Sequence, residues 1–294
     1  MIALVATAGT PVRLRPLPLG ELLDETFKLY RRHFNVIAGV AVAVILPNLI
    51  LALVSGSYRA NPFTYIQQVL QNASDPAALE AIQNRQAQYT SSPLYLLSFL
   101  VTFLMFPFTV GAVYRAATSL AAGNVETIGT VLAGTARRYF GVFGIVILSG
   151  LVAVGSVAII TIPIVIWVLI RWSVALPALF AEGIGPVTAI GRSWNLVRDN
   201  WWRTLGIVIV VAILVSLIEL ALGALFGGIA AIVPGLGDDI RAGVVETVVT
   251  LVDAVVSAIT PIAITMLYLD LRVRKEGLDL DQLARQAAPG PAPA

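Results

Sequence analysis

The chain has 294 residues, 58% of them hydrophobic and 12% charged, with a formal net charge of +2. A soluble domain carries about 25% charged residues, so no segment has the composition of one, and the apolar excess belongs in lipid. There is no cysteine and one histidine, His33, which excludes disulfides, a cysteine nucleophile and any thiolate or multi-histidine metal site. No basic stripe interleaved with aromatics is present to follow a nucleic acid.

Residues 1–16 read as an N-terminal cytoplasmic segment. Met1 to Thr10 is apolar but short, lacks a basic start and is followed by Arg13 and Arg15, which argues against a cleaved signal peptide. Residues 17–277 read as a membrane domain with six spans, at about 36–55, 94–114, 140–160, 163–180, 204–226 and 244–269, each near the roughly 20 residues that cross a bilayer as a helix. The long apolar run from Phe140 is divided at Thr161-Ile162-Pro163. Residues 278–294 read as a cytoplasmic tail, with Ala287 to Ala294 disordered.

Orientation follows from the basic residues. Arg13, Arg15, Lys28, Arg31 and Arg32 precede span one; Arg115, Arg137 and Arg138 follow span two. Arg192, Arg198 and Arg203 follow span four, and Arg272, Arg274, Lys275 and Arg285 follow span six. The other side has Arg59, Arg85 and Arg241. Both termini are expected in the cytoplasm of a multi-pass plasma-membrane protein, with 56–93 outside. In that outer segment, Asp75-Pro76 predicts a capped helix start.

Three cytoplasmic stretches share a design. Leu19, Leu22, Leu23, Thr26, Phe27 and Tyr30 fall on one helical face; Ile128, Val131, Leu132, Thr135 and Tyr139 repeat the pattern, as do Val187, Ile190, Trp194, Val197 and Trp201. Each leads directly into a span. Arg31, Arg32, Phe34, Arg137, Arg138, Phe140, Trp194, Arg198, Trp201 and Trp202 are the expected interfacial anchors, with the basic groups facing anionic lipid headgroups. His33 belongs to the first of these clusters. Units of interfacial helix plus two spans then cover 17–123, 125–183 and 185–277, each ending near a glycine suited to stopping a helix, Gly123, Gly183 and Gly277. The expected fold is all-α, with a threefold helix-plus-hairpin repeat.

Two segments carry a family resemblance: Pro16-Leu17-Pro18-Leu19-Gly20-Glu21-Leu22-Leu23-Asp24-Glu25-Thr26-Phe27-Lys28-Leu29-Tyr30-Arg31-Arg32, and Gly185-Pro186 through Ser193-Trp194-Asn195-Leu196-Val197-Arg198 to Trp202-Arg203. The run Tyr268-Leu269-Asp270-Leu271-Arg272-Val273-Arg274-Lys275-Glu276-Gly277 adds to them. Together they resemble the bacterial polytopic proteins described as glycerophosphoryl diester phosphodiesterase membrane domain-like. The resemblance implies a membrane domain associated with lipid. The soluble catalytic barrel of true phosphodiesterases, with its histidines and metal-binding carboxylates, has no counterpart in the residues present.

Ionisable residues within a span are candidates for function by default. Arg171, Glu219 and Asp253 qualify. At 1.5 Å per residue they sit about 12, 10 and 14 Å below the outer ends of their spans, which predicts a shared polar cluster. Two readings fit it: an ion pair that fixes helix packing, or a polar site for transport. Gly235-Leu236-Gly237-Asp238 matches an intramembrane protease string but falls in a predicted outer turn after Pro234. The expected function is a non-enzymatic membrane module, a scaffold, assembly factor or accessory subunit. It would act without cofactor or metal, with lipid and a protein partner or second copy as its contacts. The alternative is a transporter or lipid-handling protein using the Arg171, Glu219 and Asp253 cluster.

Overall fold

The computed structural model describes residues 15–57, 62–157, 161–232 and 238–277. Arg13, Arg59, Pro234 to Gly237, Arg285 and the tail from residue 278 lie outside the described residues. The chain is all-α. Five helices are long and apolar enough to cross a membrane, and a sixth candidate is a pair bent by 70°.

The order is α1 (Leu19–Arg32), α2 (Phe34–Ser55), α3 (Pro62–Gln71), α4 (Pro76–Thr90), α5 (Pro93–Ala121), α6 (Ile128–Arg137), α7 (Tyr139–Val154), α8 (Ile162–Trp172), α9 (Ala175–Glu182), α10 (Pro186–Val197), α11 (Trp201–Ile232), α12 (Asp238–Ser257) and α13 (Ile259–Glu276). α4 starts where expected: the Asp75 side chain accepts from the backbone N–H groups of Ala77 and Ala78, and Pro76 takes the first helical position. α3 was not foreseen. Asp238, placed in a loop by its sequence context, is the first residue of α12.

The three units are visible in the packing. α1, α6 and α10 are lead helices, each followed by a break and then by the first span of its hairpin, α2, α7 or α11. Each second span continues into a terminal helical segment: the last turns of α5, then α9, then α13. All three segments end at a glycine with positive φ, Gly123 at +82°, Gly183 at +70° and Gly277 at +63°. In that left-handed backbone a Cβ is strained, so glycine is the residue that stops the helix at no steric cost.

The lead helices pack mainly on the unit before their own. α6 packs on α5, α10 on α9, and α1 on α13, so the first unit is joined to the last and the ring closes. The first spans also reach the preceding unit, α7 on α5, α11 on α8 and α2 on α12, while α2 with α5 and α11 with α12 pack closely as hairpins within their own units. The terminal segments of α5, α9 and α13 pack against one another inside the ring.

Small residues set these contacts. Thr26, Thr135 and Ser193 occupy one position on the three lead helices and are fully buried. Thr26 and Thr135 satisfy their hydroxyls on the carbonyls four residues back, each at 2.8 Å. Ser193 instead donates to the Arg171 carbonyl at 2.7 Å and accepts from the Val174 N–H at 3.2 Å. Eleven, fourteen and eighteen residues after Thr26 lie the buried Ile37, Val40 and Val44; the same steps after Ser193 reach the buried Thr204, Ile207 and Val211. After Thr135 the matching buried residues, Val142 and Ile145, come one turn earlier.

The buried face of α10 differs from the expected one. Val187 is 76% exposed, and the buried residues are Ala189, Ser193, Leu196 and Val197. The small side chains Ala189 and Ser193 let α10 approach the α8–α9 segment closely. The larger Ile190 and Trp194 flank the contact.

Ring closure is sealed by Asp270, whose side chain is fully buried. Its carboxylate accepts from the Leu17 N–H at 2.7 Å, from Arg203 Nη2 at 2.9 Å and from Arg274 Nε at 3.0 Å. The Leu17 carbonyl in turn accepts from Arg203 and Arg274. One carboxylate thus holds the entry to α1, the start of α11 and the end of α13. Replacing Asp270 with Ala leaves two guanidinium groups without their buried partner, and we expect a loss of about 2–3 kcal/mol, below the cost of a fully desolvated pair because both arginines touch solvent. Thermal unfolding in detergent would read it as a lower midpoint, with Asp270→Asn falling between Ala and wild type.

Candidate functional site

The structure brings together two of the three intramembrane charges. Glu219 on α11 and Asp253 on α12 line one cavity of about 40 Å³ with Leu222, Gly223, Phe226, Val249 and Val252. The cavity has room for about one water.

Arg171 is elsewhere. Its guanidinium sits in the corner formed by two tryptophan rings, with Cζ 4.2 Å from the Trp167 centroid and 4.4 Å from that of Trp194. It makes no ion pair among the described residues. A cation over aromatic rings is stabilised by their quadrupoles, which is how this charge is accommodated without a carboxylate. The ring pair is itself held edge to face, with centroids 5.1 Å apart. α8 stops at Trp172 and α9 resumes at Ala175, yet together they form one candidate span, Ile162–Glu182, with Arg171 near its middle.

The expected anchors divide into two groups. Arg31, Arg32, Phe34, Arg137, Phe140, Arg198 and Trp202 are exposed around the lead-helix junctions. Arg138, Trp194 and Trp201 are packed: Arg138 Nη1 donates to the Ile184 carbonyl at 3.0 Å, and Trp201 Nε1 to the Trp167 carbonyl at 3.3 Å. His33 is the residue between α1 and α2, and its N–H caps α1 on the Leu29 carbonyl. Burial, then the neighbouring Arg32, lowers its pKa from 6.5.

A larger polar assembly lies at the same end of the ring, where the three terminal segments meet. Glu182, the last residue of α9, accepts from Arg192 Nε at 2.8 Å and from the Tyr268 hydroxyl at 2.7 Å, with Arg272 Nε 3.8 Å away. Arg192 also pairs with Glu276, which accepts from Arg272 Nε at 2.9 Å. Lys275 binds Asp199 at 2.8 Å and the Asn195 carbonyl. Beside this network opens a cavity of about 410 Å³, lined among others by Arg115, Ser119, Glu126, Tyr268 and Arg272. The i, i+4 spacing of Tyr268, Arg272 and Glu276 is the sequence signal that one face of α13 carries a polar network.

Among the described residues, no group of three or more carboxylate or histidine side chains is arranged to hold a metal ion. The larger cavity, with its polar lining, is the arrangement suited to binding a polar ligand.

Comparison with known proteins gives one match. The family described as the membrane domain of glycerophosphoryl diester phosphodiesterase matches residues 139–287, the stretch that holds α7 to α13. No curated protein and no solved structure matches.

Because Arg171 is not paired with either acid, Arg171→Leu and Glu219→Gln should act independently. In a double-mutant cycle on thermal stability we expect a coupling energy under about 0.5 kcal/mol; a coupling above about 1 kcal/mol would show that the charges do interact. His33 supplies a pH dependence. Its folded pKa lies below 6.5, so the unfolded chain takes up the proton first and stability falls as pH drops below that value through the folded one. His33→Gln should remove this part of the acid loss; an unchanged pH profile of the unfolding midpoint would refute the assignment.

Proposed function

The chain belongs to the family of the glycerophosphoryl diester phosphodiesterase membrane domain, and on that premise we propose that it serves as a non-enzymatic membrane module, a scaffold or accessory subunit of the cell envelope. The observation that carries this reading is the closed ring. Its buried and half-buried charges, Asp270, Arg203, Arg274, Glu182, Arg192 and Glu276, form bonded sets that cross between units at two points, the Leu17 backbone and the Glu182–Arg192 pair. Such bonds fix one arrangement of the helices and suit a body that must hold its shape.

In this reading the lead-helix end faces the cytoplasm with both termini, because Arg31, Arg32, Arg137, Arg198 and Lys275 cluster there and basic loops stay inside. The exposed Phe34, Phe140 and Trp202 sit at the headgroup level, where amphipathic rings are favoured. The outer perimeter, including Phe99, Leu151, Leu217 and Leu220, is exposed and apolar, and faces lipid or the spans of a partner.

One observation favours a second reading, transport. Glu219 and Asp253 line one cavity within the spanning part of α11 and α12, and such groups mark proton pathways elsewhere. Proteoliposomes loaded with a pH dye separate the two. We expect the wild type and the Glu219→Gln, Asp253→Asn double variant to be as proton-tight as protein-free vesicles. A flux carried by the wild type and abolished in the double variant would replace the scaffold reading. Reporter fusions at each terminus should both score cytoplasmic, and hydrolysis of a glycerophosphodiester by the purified chain would refute the non-enzymatic assignment.

A further inference from the structure

The cavity where the three terminal segments meet contains an arginine whose bonding is incomplete. Arg115 leaves α5 and enters the cavity beneath α6. Its one ion-pair contact among the described residues is Nη2 to Glu126 at 3.7 Å, too long for a good charge-assisted bond. Glu126 is already engaged: its Oε1 accepts from the Ser119 hydroxyl at 2.6 Å and its Oε2 from the Thr130 hydroxyl. Arg115 Nε is buried and has no hydrogen-bond partner. A guanidinium presents five donors in a rigid fork, so most of this one's capacity is unused.

The position of the fork is fixed by a glycine. A Cβ on Gly134 of α6 would lie 2.0 Å from Arg115 Nε and 2.3 Å from Cζ. The guanidinium therefore rests flat on the Gly134 backbone, in space that any other residue would fill. Gly134 is not at a turn and has no positive φ, so the close approach of Arg115 is what uses its missing side chain.

A second guanidinium borders the same cavity. Arg272 bonds Glu276 through Nε at 2.9 Å, and its Nη1 meets the Tyr268 hydroxyl at only 3.4 Å. Two partly unsatisfied guanidinium groups at one cavity of about 410 Å³ match a tetrahedral anion, whose several oxygens can accept from both forks at once. The volume leaves room for a small polar substituent beyond the anion.

We propose that this cavity is a binding site for a phosphate-bearing group, with Arg115 as its principal ligand, Arg272 as the second and Gly134 as the residue that seats Arg115. The inference does not rest on the scaffold reading and would add a ligand to it. The group can come from a soluble phosphate ester or from the headgroup of an anionic phospholipid entering from the adjoining leaflet.

The test uses the full chain in neutral detergent. Equilibrium dialysis with radiolabelled inorganic phosphate and with glycerol 3-phosphate forms one arm. Retention of phosphatidylglycerol against phosphatidylcholine, read by native mass spectrometry, forms the other. Saturable binding in the first arm identifies a soluble ligand; selective retention in the second alone identifies a lipid headgroup. In whichever arm responds, Arg115→Gln and Gly134→Ala should each weaken binding by roughly tenfold or more, as expected for loss of a charge-assisted contact, while Arg85→Gln at the far end of the bundle should not. Gly134→Ala leaves every charge in place, so its effect reports the seating of Arg115 alone. Absence of saturable binding by the wild type in both arms overturns the proposal. So does binding that persists within about twofold in Arg115→Gln and Gly134→Ala proteins that elute as the wild type does. If either variant aggregates, Arg115→Lys, which keeps the charge and loses the fork, takes its place under the same criterion.

Discussion

A carboxylate with no exposure to solvent is tolerable only if its partners reach it from several directions. Asp270 is such a group, and its partners come from the entry to α1, from the start of α11 and from α13 itself. This makes the last helix the place where the first is fastened. The architecture is circular because of it: each lead helix covers the terminal segment of the unit before it, and the first unit finds its predecessor at the far end of the sequence. A chain built this way buries the same kind of surface three times. It needs one long-range bond set, spanning some 250 residues between Leu17 and Asp270, to complete the circle.

The units are alike in plan and unequal in detail. A buried hydroxyl marks the same position on each lead helix, and a left-handed glycine ends each terminal segment. Inequality appears in the hairpins. α5 runs unbroken through Pro107, α8 and α9 are separated at Ser173 and Val174, and α12 and α13 at Ala258. The proline does not by itself decide which helix breaks. Pro107 sits mid-helix in α5, whereas Pro177 and Pro261 fall in the first turn of α9 and α13, where a missing N–H costs nothing.

Much of this was legible in the sequence. Apolar length gave the spans, the Asp75-Pro76 pair gave the start of α4, and Gly123, Gly183 and Gly277 gave the unit ends, because each signal is local and its physics does not depend on distant residues. The site was less legible. Depths measured along helices put Arg171 level with Glu219 and Asp253, and that arithmetic says nothing of which way each side chain faces, nor of the Trp194 ring that arrives from α10 to meet Arg171. On α10 the periodicity found Ile190, Trp194 and Val197 but misplaced Val187 and passed over Ala189 and Ser193, because large apolar residues dominate such a count, whereas close helix contact also uses small ones. The seat that Gly134 makes for Arg115 joins residues on two helices through the absence of an atom, and no spacing rule registers that.

The first spans differ in length, and the membrane must answer for it. α7 has 16 residues, a rise of about 24 Å against a hydrocarbon thickness near 30 Å, while α2 has 22 residues and α11 has 32. The 3₁₀ turn Gly155–Val157 that continues α7 adds about 6 Å, so this sector just reaches across. The helix that does not fit is α11: its 32 residues rise about 48 Å, and a helix longer than the hydrocarbon layer must tilt or carry its ends into the headgroup region.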